Sequence, residues 1–120
     1  MDTLFTKIGP ERLQEVVNRF YNLVFEESSI AHLFQTDRQI VREKQYMFLT
    51  QFLGGPQLYT EKYGHPRMRA RHLPHAIGQA EKEEWLRCMR QAIDSMEFED
   101  DLGEALYQCF PTVAQHMVNR

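Results

Sequence analysis

The chain has 120 residues, of which 42% are hydrophobic and 26% charged, with a mean hydropathy of -0.54. That composition predicts one globular domain spanning residues 1–120, burying roughly two-thirds of the surface its unfolded form exposes, and it excludes a disordered or membrane-embedded chain. A net charge of -3 and an isoelectric point near 5.9 argue against a nucleic-acid partner, which needs a positive field over much of one face.

The apolar runs are too short to span a bilayer. Met1-Asp2-Thr3-Leu4-Phe5-Thr6-Lys7 shows neither a basic leader followed by a long apolar segment nor a small-residue cleavage site, so a cytoplasmic location is expected. Four strongly periodic segments, with no alternating strand pattern, predict an all-α fold. Pro10, directly after Gly9, suits the first turn of a helix whose inward stripe is Leu13, Val16, Val17, Phe20 and Val24. Tyr21 borders that stripe, so its ring can be buried with the hydroxyl pointing into a cavity.

Ser28 and Ser29 interrupt the pattern before a short Ile30-Ala31-His32-Leu33-Phe34 segment, and Asp37 is placed to cap a second long helix. Val41, Gln45, Phe48, Leu49 and Phe52 share one side of it. Gln45 is the anomaly: an unpaired amide among large apolar neighbours costs about 1–3 kcal/mol, so either another side chain or a polar ligand satisfies it. Gly54-Gly55-Pro56 ends this helix. An irregular connection carrying Tyr59 and Tyr63 is expected next, then a short helix in which Met68, Arg71 and His72 follow i, i+3, i+4 spacing and which Pro74 stops.

A third long helix places Trp85, Leu86, Met89, Ala92, Ile93 and Met96 along one face. The last carries Leu102, Ala105, Leu106, Cys109, Phe110, Val113 and Met117, with a kink or break expected where Pro111 removes a donor and disfavours helical geometry at Phe110. Cys88 and Cys109 fall inside these apolar patterns without metal-finger spacing, which predicts buried free thiols.

The chemistry concentrates around His72, in Gly64-His65-Pro66-Arg67-Met68-Arg69-Ala70-Arg71-His72-Leu73-Pro74. An imidazole among arginines that can pair with propionates, between prolines that restrict the backbone, suggests a haem iron ligand; the plainer alternative is a satisfied structural histidine. His72 and His75 also form an H-x-x-H pair of the kind zinc uses, but no convincing third and fourth ligands accompany them. A haem-free helical interaction module using the arginine-rich turn is a third reading, weakened by the acidic charge balance.

The run Phe48-Leu49-Thr50-Gln51-Phe52-Leu53-Gly54-Gly55-Pro56, followed by Tyr59, Gly64-His65-Pro66, Arg69-Ala70-Arg71-His72-Leu73-Pro74 and Trp85-Leu86-Arg87-Cys88-Met89, closely resembles the group II truncated haemoglobins. The resemblance extends from the first helix to near the C-terminus. It implies a shortened globin fold, a two-over-two helical sandwich around haem b (iron protoporphyrin), with His72 as the proximal iron ligand. Tyr21, Gln45 and Trp85 match the three polar positions around the gas ligand.

Phe34 and Tyr59 match haem-contacting aromatics, and Phe48, Leu49, Met68, Ile77 and Met89 are expected wall residues. Lys44 falls at a position associated with propionate contact and Arg71 is a second anion partner, unless both are solvated surface charges. Val41, near the distal entrance, replaces the small residue or threonine common in the family, and it cannot donate a hydrogen bond. His75 replaces an aromatic residue.

The implied function is binding of oxygen and other diatomic ligands with high affinity and slow release. Nitric-oxide dioxygenase or peroxidase-like chemistry is an alternative that needs an external reductase, because the chain has no flavin or nicotinamide motif. A haem-based gas sensor is another, and it needs a separate partner to carry the output. A monomer and a homodimer are both compatible with the sequence.

Overall fold

The computed structural model describes residues 2–34, 37–67, 70 and 72–119, and among them the chain is helices and turns with no strand. Helix α1 (Leu4–Ile8) is capped by Thr3, whose Oγ1 accepts from the Thr6 N–H at 3.1 Å. Gly9, at φ 84°, ends α1 and admits α2 (Pro10–Glu27), with Pro10 in the first turn as predicted. The α2 stripe of Leu13, Val16, Val17, Phe20 and Val24 is buried together with Tyr21.

A short 3₁₀ turn (Ala31–Leu33) follows. The Asp37 carboxylate then accepts from the Gln39 and Ile40 N–H groups at 2.9 and 3.2 Å and starts α3 (Arg38–Phe52). Only Leu49 and Thr50 are buried on α3, although Val41, Phe48 and Phe52 are all large and apolar. Their side of the helix borders a cavity.

The Gly54-Gly55 turn after α3 is where α1 lies against the body. Phe5 N–H donates to the Leu53 carbonyl at 3.0 Å. A Cβ at Gly54, which has φ 100°, would stand 2.7 Å from the Thr3 side chain, and one at Gly55 would stand 2.7 Å from the Phe5 ring and 2.9 Å from the Thr50 carbonyl oxygen. Both positions therefore require glycine.

Residues 58–63, expected to be irregular, form helix α4 (Leu58–Tyr63). A side-chain tie from α3 accounts for it. Gln51 Oε1 accepts from the Thr60 N–H, and Gln51 Nε2 donates to Thr60 Oγ1, both at 2.9 Å. Ala70 and His72 have helical backbone; the Met68 and Arg71 part of the predicted i, i+3, i+4 face lies outside the described residues.

Helix α5 (Gln79–Ser95) opens with Glu81 accepting from the Gly78 N–H at 2.7 Å, and it buries Cys88, Met89, Ala92 and Ile93. The break expected at Pro111 is present: α6 (Leu102–Tyr107) stops short of it, and α7 (Pro111–Met117) begins on the proline itself. Cys109 lies in that break and is only half-buried, so the prediction of two buried thiols holds for Cys88 alone; both are free. Helix α2 packs on α3 and α5, and α5 packs on α6 and α7, which leaves the cavity between the α2/α3 pair and the α5/α7 pair. No helix among the described residues is long and apolar enough to cross a membrane.

Candidate functional site

The cavity has a volume of about 310 Å³, at the lower end of ligand-site sizes. Helix α2 contributes Tyr21, and the segment leading into α3 contributes Ile30, Leu33 and Phe34. Val41, Gln45, Phe48, Leu49 and Phe52 come from α3; His72, His75 and Ile77 come from the connection before α5. Glu81, Lys82 and Trp85 on α5, Phe110 in the break, and Val113, Ala114 and Met117 on α7 complete the wall.

Aromatic contacts fix much of this wall. The Phe20 ring lies 4.8 Å from Tyr21 and 4.9 Å from Trp85, so one buried phenylalanine holds two of the predicted polar residues in place. Trp85 continues to Phe110 at 5.5 Å, and Phe110 to Phe52 at 6.2 Å. The break before Pro111 ends α6 early enough for Phe110 to make both contacts. Tyr21 is also packed edge-on against Phe34, 5.5 Å away. Such pairs contribute about 0.5–1.5 kcal/mol each beyond burial.

Tyr21 is 3% exposed. Among the described residues, none gives a hydrogen-bond partner to its hydroxyl, to the Gln45 amide or to the Trp85 indole, although all three line the cavity. Of the two ways of satisfying Gln45 left open by the sequence, a side-chain partner is not seen among the described residues. Burial raises the Tyr21 phenol well above its ordinary value of 10.0, and the charge of Arg42 offsets part of that rise. The group is a neutral donor at physiological pH.

A folded value above the unfolded one means that Tyr21 lends its full stability below about pH 10 and loses it as pH climbs beyond. The unfolding free energy of Tyr21→Phe should accordingly decline less steeply than that of the wild type between about pH 10 and pH 12. Urea titrations across this range measure the two slopes, and equal slopes would refute the assignment.

Of the residues predicted for the site, the structure brings Tyr21, Phe34, Val41, Gln45, Phe48, Leu49, His72, Ile77 and Trp85 to one cavity. Others stand elsewhere. Tyr59 is buried against the Phe48 and Tyr63 rings at 6.2 and 5.1 Å, behind the wall rather than in it. Met89 is fully buried in the core beside α5's other inward residues. Lys44 turns its ammonium over the Tyr63 ring, 5.0 Å from its centre. Met68 and Arg71 lie outside the described residues.

Glu81 and Lys82 were not anticipated as wall residues, and no motif marks them. Their only signal is position, one turn before Trp85 on the same helix. Val113 and Met117 were legible as an apolar face without an indication of what they cover.

The bacterial-like globin family model matches residues 3–119. The chain is 41% identical over 116 residues to the group 2 truncated hemoglobin YjbI of Bacillus subtilis, covering 97% of this chain and 88% of that protein. It is 37% identical over 119 residues to the group 2 truncated hemoglobin 3-1 of Lotus japonicus, covering 96% and 71%.

Among solved structures, it superposes on a truncated oxygen-avid haemoglobin from Bacillus subtilis with a TM-score of 0.93 and 41% identity, covering 98% of this chain and all of that one. The group II truncated hemoglobin of Bacillus anthracis gives a TM-score of 0.93 and 41% identity, with 99% and 92% covered. With its two-over-two helical fold, the chain belongs to the bacterial-like globin family, as a group II truncated haemoglobin.

Proposed function

We propose that the protein holds haem b through His72 and binds oxygen beside Tyr21, Gln45 and Trp85, with high affinity and slow release. The single observation that carries this reading is the set of three neutral donors, none with a hydrogen-bond partner among the described residues, lining one apolar cavity. Donors that face an apolar cavity in this way are available to a polar ligand that enters it. The oxygen avidity described for the Bacillus subtilis protein supports the same choice of ligand.

Globin membership implies a haem cofactor, and the cavity suits one. Its wall is chiefly aliphatic and aromatic, as a porphyrin face requires, and most of the α3 side chains that border it are only partly covered by protein. Among the described residues no three histidine, cysteine or carboxylate side chains gather into a metal cage. A metal brought here already chelated by a macrocycle needs only one imidazole, and His72 lies in the wall.

When bound, haem supplies an iron centre that takes up a diatomic gas and shifts electron density toward it. The chain's part is to stabilise that density and keep water out. Tyr21 Oη, Gln45 Nε2 and Trp85 Nε1 each carry a proton they can donate to the ligand, and burial keeps the Tyr21 proton in place. Phe20, Phe34 and Phe48 hold these donors or border them with apolar surface, so little reorganisation is needed when the gas enters. Val41 adds bulk without competing for the hydrogen bonds. Redox turnover with nitric oxide or peroxide would draw electrons from a separate reductase.

Reconstitution with haem followed by an absorption spectrum and stopped-flow oxygen displacement tests the proposal. The expected outcome is a stoichiometric haem complex whose oxygen release is slow. A folded protein that takes up no haem, or one that releases oxygen as fast as a cavity lacking donors, would overturn it.

A further inference from the structure

Asn119, two residues beyond α7, clamps the connection that carries both cavity imidazoles. Its Nδ2 donates to the His72 carbonyl oxygen at 3.1 Å and to the His75 carbonyl oxygen at 2.9 Å. Its Oδ1 accepts from the Ile77 N–H at 3.1 Å, and its own backbone N–H donates to the Ile77 carbonyl at 2.8 Å. One residue near the end of the chain thus grips three backbone positions more than forty residues earlier.

Before the turn, the Leu73 N–H donates to the Ala70 carbonyl at a long 3.4 Å. Leu73 and Pro74 are exposed, and Pro74 has no N–H to give. Within the turn, the His75 N–H donates to the His72 carbonyl at 2.9 Å, so that one oxygen receives a bond from inside the turn and another from Asn119. Two donors converging on one carbonyl fix the orientation of the His72–Leu73 peptide plane. The Cα–Cβ bond that aims the imidazole into the cavity is set from the same plane.

We propose that Asn119 is a positioning residue for His72: by tying the 72–77 backbone to the end of α7, it fixes the direction and reach of the imidazole and thereby the strength of its bond to iron. The inference rests on His72 being the iron ligand. Groups that orient a metal ligand from behind typically change metal affinity by roughly tenfold to a hundredfold when removed. The same scale is expected here for haem retention.

The test uses the haem-loaded, full-length chain in the ferrous state. Asn119→Ala removes every side-chain bond of the clamp. Asn119→Asp keeps the shape and an acceptor but loses both donors to the carbonyls, and it serves if the alanine variant folds poorly. Arg19→Ala is the control, because Arg19 Nη1 makes a comparable tie to the Ser95 carbonyl at 2.7 Å, away from the cavity wall.

Resonance Raman spectra should show the iron–imidazole stretch lowered and broadened in both Asn119 variants and unchanged in Arg19→Ala. Haem transfer to an acceptor globin should be roughly tenfold or more faster in the Asn119 variants only. A stretch at the wild-type frequency in both Asn119 variants overturns the proposal, even if they melt at a lower temperature. His72→Gly separates the two assignments. If the stretch survives in that variant, the ligand assignment itself fails; if it vanishes there yet stands unshifted in the Asn119 variants, only the positioning role falls.

Discussion

His72→Ala should lose haem more than about a hundredfold faster than the wild type, because it removes the proposed protein bond to iron rather than a group supporting that bond. The substitution leaves the α2 and α5 core untouched, so the helical circular dichroism of the haem-free protein should change little. Transfer of haem to an excess of acceptor globin gives the rate. Adding free imidazole to His72→Gly should restore the spectrum of a histidine-ligated complex, as the cavity left by the ring can admit one.

His75 is the competitor that makes this experiment informative. It lines the same cavity three residues later, and its backbone is held by the same asparagine. Haem retained at the wild-type rate by His72→Ala but lost by His75→Ala would transfer the ligand role from one to the other. The expected result is the reverse, with His75→Ala keeping its proximal ligation.

Oxygen release should accelerate by roughly tenfold to more than a hundredfold in Tyr21→Phe and in Gln45→Leu, since a hydrogen bond to a group carrying negative charge contributes about 1.5–3 kcal/mol. Both substitutions preserve most of the volume while removing a donor. The two residues share one cavity, so the double variant should fall short of the product of the single effects. Stopped-flow displacement of oxygen by carbon monoxide measures all three, and unchanged release in both single variants rejects the donor roles. Trp85→Phe is a poorer probe, because the indole also packs on Phe20 and Phe110.

The long helices were legible because each carries several turns of apolar periodicity and a chemical boundary. Pro10 opens α2, Asp37 caps α3, and Pro111 breaks the final segment, each by an effect local to the residue. Helices α1 and α4 were not legible for the opposite reason. At 5 and 6 residues they are too short to show a period, and they are held from outside: α1 by the Leu53 carbonyl, α4 by the Gln51 side chain. Helices this short are marginal without such contacts.

The site divides in the same way. Tyr21, Gln45 and His72 stand out as polar groups in or beside apolar patterns, so their meeting could be anticipated once the family resemblance was drawn. Lys44 is placed by linear position alone, whereas its ammonium lies over an aromatic ring from α4, an element that the periodicity did not reveal. Asn119 was invisible because a carboxamide near a chain end has no pattern around it. Its importance comes from four hydrogen bonds that only the folded backbone brings together.

The partly covered side of α3 has a bearing on how much of this protein a cell keeps. A helix whose greasy flank is finished by a guest molecule is incompletely buried until that guest arrives, and a ligand present at a thousand times its dissociation constant adds about 4.1 kcal/mol to the folded state. That is a large fraction of a typical domain's total stability. Newly made chains that fail to acquire pigment would be the ones chaperones hold and proteases clear, so steady-state abundance should follow porphyrin supply, with no dedicated regulator required.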